Sequence, residues 1–507
     1  MLLLVNFFIL IVIFPRLVIF SGLFQQNHYN FSKYFKNLKR HYFKSFSTYL
    51  EYLAIICLIN YYIYQKWYLI VLVLFLILGS FMATQQLLIL PTITSRFKRL
   101  LISITLTGLL PYFIFPYHTV VFLLELVFIP FLIIISALIN LPLERTINIY
   151  YAKKSKRKLC KIKPYVIGIT GSYGKTSTKY FLSQLIKEYY YMYASPKSYN
   201  TPMGLSKCIN EELPLLTEVF IAEMGATKEG DIKELVDLTE VNLGIITEIG
   251  PQHLETFKTI EKVLEAKLEI LNSKQIETLI VNFDNEYLRK YQYPSNLEII
   301  TIGTTEQALY YGKNIILTKL GLEFDIYFQN NYWGHICTKL LGKHNVTNIL
   351  CAVAASEHLR VPKQHIIKRI QTLESFPHRL SLQTINNILL IDDSFNSNIV
   401  GFKNALEVLR LTEGKKLVIT PGIVDAGERL ENLNMEIARC LVKDIDMVYL
   451  VHNASSLYIE QYFNQCGFNN YKVVKSFKVA YEDVKKNYKD EVAVLIENDL
   501  PDNYLRR

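Results

Sequence analysis

Residues 166–180 read VIGITGSYGKTSTKY. A run of β-formers leads into glycines at 168, 171 and 174, and Lys175-Thr176-Ser177 follow at once. A strand that enters a glycine-rich turn and leaves it as a helix aims backbone N–H groups at an anion. In such a loop Lys175 reaches the terminal phosphates of a nucleotide and Thr176 places its hydroxyl on Mg²⁺. The usual P-loop carries glycine six residues before its lysine, and that position here is Ile169. The stretch is therefore expected to bind phosphate through Gly171, Ser172, Gly174, Lys175, Thr176 and Ser177, but not as an ordinary GTPase loop does.

The sequence around this loop has two characters. Residues 1–163 hold 18 Lys+Arg and three acids (Glu51, Glu125, Glu144), while the remainder is slightly acidic. Apolar runs lie at about 1–22, 49–65, 67–90, 101–117 and 119–140, each near the ~17–25 residues a helix needs to cross a bilayer. Basic clusters at 33–44, 96–99 and 145–163 fall between or after them. Five spans with the N-terminus outside put all three clusters on the cytoplasmic face, as the positive-inside rule expects. The same topology leaves everything after residue 145 in the cytoplasm. Basic segments set between long apolar runs favour a membrane over a nucleic acid as partner. The first run lacks a basic start and is read as retained rather than cleaved. Glu125 and Arg16 are ionisable groups within apolar runs, and Glu125 is a functional candidate on that ground, or else a carboxyl held by a neighbouring helix. Seven cysteines (57, 160, 208, 337, 351, 440, 466) show no C-x-x-C spacing, so they are expected as reduced thiols.

From residue 164 onward short β-branched runs alternate with amphipathic stretches: PYVIGIT, EVFIAEM, NLGIITEI and ETLIVN, then NILLID, KKLVIT, MVYLV, YKVVK and VAVLIEN after a boundary near 375. That rhythm predicts α/β domains with mainly parallel sheets. The expected organisation is a bundle of about five transmembrane helices (1–145), a basic cytoplasmic linker (146–163), a P-loop domain (164–375) and a Rossmann-like C-terminal domain (376–507).

The G-x-x-G-x-x-G-K-T-S loop resembles that of the Mur ligase family, and the likeness continues in order: AEMGATKEGDI (222–232), TEIGPQHLETF (247–257), EAKLEIL (265–271), LLGKHNVTNILCAVAAS (340–356), PHRLSLQ (377–383) and IDDSFNSN (391–398). The last segment is most similar to the MurF-type, dipeptide-adding branch. The resemblance implies an ATP- and Mg²⁺-dependent ligase that activates a carboxylate as an acyl-phosphate for attack by an amine. It implies one metal on Thr176 and Glu223, and a second associated with His253 and with Lys267 N-carboxylated by CO₂. Asn345, beside His344, would lie on the adenine side, and Arg379 and Asp393 would tie the C-terminal domain to the nucleotide. Lys175, Lys267, His253 and Arg379 are the catalytic candidates, and Asn200 in YNTPMG resembles a loop near the substrate. Without the resemblance, Lys267 reads as a surface lysine of a charged helix and Asp392-Asp393 as strand-end turn formers.

Two departures stand out. The family's uridine-binding first domain is missing, with apolar runs in its place. The stretch IENDLPDNY (496–504) is acidic where the family has Lys-Gly-Ser, so Glu497, Asp499 and Asp502 form either an acidic wall for an amine-rich acceptor or a solvated loop. Three functions remain open: a membrane-anchored ligase acting on an envelope precursor, lipid-linked or not; a conventional dipeptide-adding ligase on a UDP-linked tripeptide; and a nucleotide-gated transporter or non-catalytic scaffold.

Overall fold

The computed structural model describes residues 16–27, 29–38, 91–114, 118–196, 199–252, 254–319, 321–385, 388–395, 398–424, 429–488 and 491–498. The apolar runs at 49–65 and 67–90, most of the run at 1–22, His253, Asp499 and Asp502 lie outside the described residues. The chain divides into two compact units, residues 1–149 and 150–507.

In the first unit the helices Ser95–Ile114 and His118–Ile162, the latter as far as residue 149, carry a polar ladder between them. Arg99 makes a two-pronged ion pair with Glu144 at 2.7 and 2.9 Å, Ser103 bonds Asn140 at 2.8 Å, and Thr107 bonds Ser136 at 2.8 Å. Residues 99, 103 and 107 ascend by four as 144, 140 and 136 descend by four, so each polar set occupies one stripe of its helix. Beside the ladder, Phe20, Phe24, Leu100, Ile104, Ile129 and Ile133 bury an apolar core. Ile102, Leu106, Leu110, Phe113, Ile135 and Ile139 stand exposed. Among the described residues one helical segment, Phe128–Ile162, is long and apolar enough to cross a membrane.

In the second unit the end of the same helix packs on the central domain. Ser155 Oγ donates to the Ser206 carbonyl at 3.2 Å, and Leu159 joins a core with Ile209 and Leu238. Lys153, Lys154, Lys156 and Arg157 stay exposed, so the basic stretch is a helix with one buried stripe.

The central sheet has nine strands: β1 (Tyr165–Thr170), β2 (Met192–Ala194), β3 (Val219–Glu223), β4 (Leu243–Ile246), β5 (Thr278–Asn282), β6 (Glu298–Gly303), β7 (Tyr310–Thr318), β8 (Gly321–Phe328) and β9 (Asn331–Thr338). Their order is β2-β3-β1-β4-β5-β6-β7-β8-β9, parallel up to β7 and antiparallel from β7 to β9. β1 lies between β3 and β4: the chain passes from β1 to β2 and β3 on one side and then crosses to β4 on the other, so the carboxyl end of β1 faces the crevice where open α/β sheets bind ligands. The helices Lys175–Ile186 and His344–His358 cover one face, and their apolar sides (Phe181, Leu182, Leu185; Ile349, Ala352, Val353) are fully buried.

A second sheet begins at Ser381. It comprises β10 (Ser381–Ile385), β11 (Ile388–Asp393), β12 (Lys415–Thr420), β13 (Met447–Val451), β14 (Tyr471–Val474) and β15 (Val492–Glu497), in the order β10-β11-β15-β12-β13-β14. All neighbours are parallel except the edge strand β10. The parallel sheets predicted from the β-branched runs are present in both domains. The antiparallel β7–β9 extension was not foreseen.

Candidate active site

Two glycines shape the loop between β1 and the helix Lys175–Ile186. Gly171 has φ +144°, and a Cβ there would lie 2.2 Å from Thr247 Oγ1. Gly174 has φ +82°, and a Cβ there would lie 2.4 Å from Asn348 Oδ1. Both backbone conformation and space exclude a side chain at these positions. The loop is strapped to residues 247–250. Ser172 N–H donates to the Glu248 carbonyl at 2.6 Å, Ser172 Oγ exchanges hydrogen bonds with Gly250 O and N at 3.1 Å, and Thr247 Oγ1 donates to Tyr173 O at 2.5 Å. Thr176 is buried and Ser177 half-buried at the start of the helix. Lys175 Nζ donates to the carbonyls of Gly171 at 2.6 Å and Ser172 at 3.1 Å. Burial lowers its pKa to about 8, opposed by Glu223 and reinforced by Arg379.

Glu223 ends β3, in register with Ile169 of β1. Its carboxylate accepts from Asn200 Nδ2 at 3.1 Å and pairs with Lys179 Nζ at 2.9 Å. Burial works against its ionisation, but Lys179, Lys175 and the two hydrogen bonds outweigh burial and hold the pKa below the usual carboxylate value. Lys267, on the helix Ile260–Leu268, is 1% exposed. Burial, followed by the nearby Lys175, lowers its pKa to about 7 against the pull of Asp231 and Glu269. Lys267 is thus a buried amine beside the phosphate loop rather than a surface lysine.

The second domain contributes Arg379. Its guanidinium lies 4.4 Å from the centre of the Phe395 ring. Withdrawal from water lowers its pKa, against Asp393, Glu223 and Glu497. Asp393 is buried, accepts from Leu380 N–H at 3.1 Å, and is pushed up to about 6 by burial despite Arg379. Asp392 is satisfied locally by His378 Nδ1 at 2.8 Å and by Ser394 at 2.6 and 3.1 Å. The two aspartates therefore divide: Asp392 forms the turn and Asp393 faces the arginine. Glu497 is fully buried at the end of β15, opposite Asp393 in the ladder, and belongs to the surroundings of Arg379.

On the other side of the loop, Asn345 Nδ2 donates to Leu341 O at 2.7 Å and Asn345 Oδ1 accepts from Asn348 Nδ2 at 3.1 Å. Thr178 of the phosphate-loop helix donates to Asn348 Oδ1 at 3.3 Å. His344, beside Asn345, is kept neutral: burial and then Arg379 lower its pKa to about 4.

The structure thus brings Lys175, Glu223, Lys267 and Arg379 within electrostatic reach of one another, with Asn345 on the adjoining helix. His253 lies outside the described residues. Lys179, Thr247, Glu248 and Asn348 were missed by sequence reasoning. Asn348 was within reach of it, being three residues after Asn345 on the same helical face. Lys179 gave no signal, since a lysine in a polar helix start ordinarily faces water. Among the described residues no group of three or more His, Cys, Asp or Glu side chains is placed to hold a metal. Magnesium, which keeps water and phosphate ligands and takes one or two protein oxygens, needs none. The buried Thr176 hydroxyl and the ionised Glu223 carboxylate are hard oxygen donors of the kind it takes.

Comparison with known proteins finds relatives for this part of the chain. Residues 169–356 match the family model of the Mur ligase middle domain. The UDP-N-acetylmuramoyl-tripeptide--D-alanyl-D-alanine ligase of Bacillus subtilis (strain 168) is 28% identical over 289 residues, covering 56% of this chain and 62% of that protein. The protein of the same name from Rickettsia prowazekii (strain Madrid E) is 29% identical over 310 residues, covering 60% and 67%. The crystal structure of MurF ligase from Thermotoga maritima in complex with ADP superposes with a TM-score of 0.62 at 23% identity, over 69% of this chain and 80% of that one. The first relatives are matched over about three fifths of their length. Residues 169–356 are thus similar to the Mur ligase middle domain, and the solved MurF structure shares the fold of the larger part of the chain.

Proposed function

We propose that this chain is an ATP-dependent carboxylate–amine ligase of peptidoglycan-precursor synthesis, held at the cytoplasmic face of a membrane by its first unit. One observation carries the reading: the phosphate-loop lysine shares its electrostatic surroundings with Glu223 and Lys267 of its own domain and with Arg379 of the next. A carboxylate and a γ-phosphate are both anions, and bringing them together requires fixed positive charge. Lys175 and Arg379 supply it from two sides. The carboxylate oxygen attacks phosphorus, ADP leaves with the electrons of the broken P–O bond, and the amine then displaces phosphate from the acyl carbon. Thr176 and Glu223 would hold Mg²⁺, with Lys267 as its carbamate and His253 at a second ion, and the metal supplies further charge screening at the phosphates. Asn345 and Asn348 line the side expected for adenine, and Arg379 and Asp393 bind as the domains close.

The relatives' names point to a UDP-linked muramoyl tripeptide and D-alanyl-D-alanine as their substrates. The carboxylate substrate of this chain is of that muramoyl-peptide class. The polar-laddered helices and exposed apolar face of the first unit favour a membrane anchor, and with it a lipid-linked form of the precursor over the nucleotide-linked one. A transporter or inert scaffold has no use for a buried, ionised Glu223 and a buried Lys267 that both interact with the phosphate-loop lysine. The test is phosphate release by detergent-solubilised protein with ATP, Mg²⁺, a D-Ala-D-Ala-type amine and either precursor. Release requiring both acid and amine, and reduced about 10²–10³-fold in Lys175→Ala, supports the reading. ATP turnover that ignores acid and amine, or none with any pair, overturns it.

A further inference from the structure

The Glu223 carboxylate is the best-placed metal ligand of the site, yet in this structure its nearest cation belongs to the protein. Lys179 Nζ lies 2.9 Å from Glu223 Oε2 and donates to the Ser195 carbonyl at 2.8 Å. Both side chains are buried, 5% and 2% exposed. Ser195 also accepts the Glu223 backbone N–H on its Oγ at 3.1 Å, and its own N–H donates to Ile221 O at 2.9 Å. One residue therefore fixes both partners of the ion pair. The second oxygen, Oε1, accepts from Asn200 Nδ2 at 3.1 Å. Asn200 is locked in turn: Gly225 N–H donates to its carbonyl at 2.9 Å, and a Cβ on Gly225 would lie 2.8 Å from its side chain. One carboxylate oxygen thus accepts a hydrogen bond and the other is held by the ion pair, and both keep lone pairs for a metal. Lys179 sits one helical turn beyond Lys175, so the helix that presents the phosphate-loop lysine also carries the cation that holds the carboxylate.

We propose that Lys179 is a positioning residue for the metal-binding carboxylate Glu223, holding it oriented toward the phosphate loop before a cation arrives. The inference rests on the reading of Thr176 and Glu223 as the Mg²⁺ site. It opposes the simpler expectation that a neighbouring ammonium competes with magnesium. Competition predicts tighter metal binding when the ammonium is removed, and positioning predicts weaker.

The experiment measures ADP affinity of the full-length protein with and without Mg²⁺, by titration calorimetry, for wild type, Lys179→Gln, Lys179→Met and Lys179→Arg. Gln keeps a donor toward Glu223 without the charge, and so serves where Met, which strands a buried carboxylate, does not fold. Partners that orient a metal ligand are worth about 10–100-fold in metal affinity. The Mg²⁺-dependent gain in ADP affinity is therefore expected to fall by that factor in Lys179→Gln and Lys179→Met. Metal-free ADP affinity should stay within about twofold, and Lys179→Arg should recover most of the gain. An unchanged or larger Mg²⁺ gain in a folded Lys179→Gln protein overturns the proposal. Equal loss with and without Mg²⁺ also overturns it, because that is the mark of packing alone. A wild-type protein whose ADP affinity ignores Mg²⁺ would overturn the metal-site reading as well, and so separates the two failures.

Discussion

A buried lysine beside another lysine is an electrostatic liability, and its size makes Lys267→Met a sharp test. The pKa of Lys267 falls from 10.5 to about 7 through burial and the proximity of Lys175. The unfolded chain therefore binds more protons at this residue between pH 7 and 10.5. The penalty is fully present below about pH 7 and fades as pH rises toward 10.5. At ~1.4 kcal/mol per pK unit it is bounded by about 5 kcal/mol. Met has a similar length and no charge to bury. In CO₂-depleted buffer at pH 7 Lys267→Met is expected to be more stable than wild type by roughly 2–4 kcal/mol, an upward shift in melting temperature of several degrees. The difference should shrink steadily between pH 7 and 9. Half of the wild-type amine is neutral at pH 7, against about one part in 3,000 for a lysine in water, and only the neutral amine captures CO₂. Bicarbonate should therefore raise the wild-type melting temperature, the carbamate being an anion beside Lys175, and leave Lys267→Met unmoved. The assay is intrinsic-fluorescence melting over a grid of pH and bicarbonate. A less stable Lys267→Met protein, with a deficit independent of pH, would refute the assignment of Lys267 as a destabilised buried amine.

Two further outcomes follow from the loop and its strap. Gly174→Ala places a Cβ 2.4 Å from Asn348 Oδ1 at φ +82°; it should cost about 1–2 kcal/mol for the left-handed conformation alone and weaken ADP binding more than tenfold by calorimetry. Glu248 accepts from Asn282 Nδ2 at 2.9 Å and Asn285 Nδ2 at 2.5 Å, and burial pushes its pKa up to about 7 against those hydrogen bonds. Here the native state binds the extra proton, so this group's contribution to stability declines from pH 4.5 to 7 and is level above. Glu248→Gln should flatten that decline and gain roughly 1–3 kcal/mol at pH 8 relative to pH 5 in pH-dependent melting; an unaltered slope would show that Glu248 does not titrate in this range.

The legible parts of this chain are those in which local rules and tertiary environment agree. β1, β3, β4 and β5 announce themselves because a strand buried on both faces is apolar along its length, and VIGI, VFIA, LGII and LIV are, with polar residues only at the strand ends. The loop announces itself because its glycines cannot be replaced. β8 and β9 were missed although EFDIYF alternates and Gln329-Asn330, both at positive φ, close a tight hairpin. Their alternation is a weak signal in a chain dominated by continuous apolar runs. The charge relations of the site are not legible in the local pattern, although the family resemblance picks out Glu223, Arg379 and Asp393. That Lys179 is buried against Glu223 while Lys153 and Lys154 face water depends on which side of a helix meets the sheet. That Asp393 rather than Asp392 faces Arg379 depends on β11, where adjacent residues point to opposite faces.

The hinge between the domains joins these observations. Arg379 is flanked by His378 and Leu380, both non-glycine residues in the left-handed region, at φ +62° and +49°. Such conformations cost of order 1 kcal/mol or more each and persist only where the surroundings over-determine them. Here the surroundings are identifiable. His378 is held through Nδ1 by Asp392 and through its carbonyl by Phe395 N–H at 3.2 Å, and Leu380 N–H is held by Asp393. The carboxyl end of β11 and its following turn thus fix three consecutive residues, and the middle one is turned toward the phosphate loop. A linker needed merely to join two sheets would adopt extended backbone without strain. The strain is the consequence of aiming Arg379, a residue of the second domain, at Glu223 and Lys175 of the first.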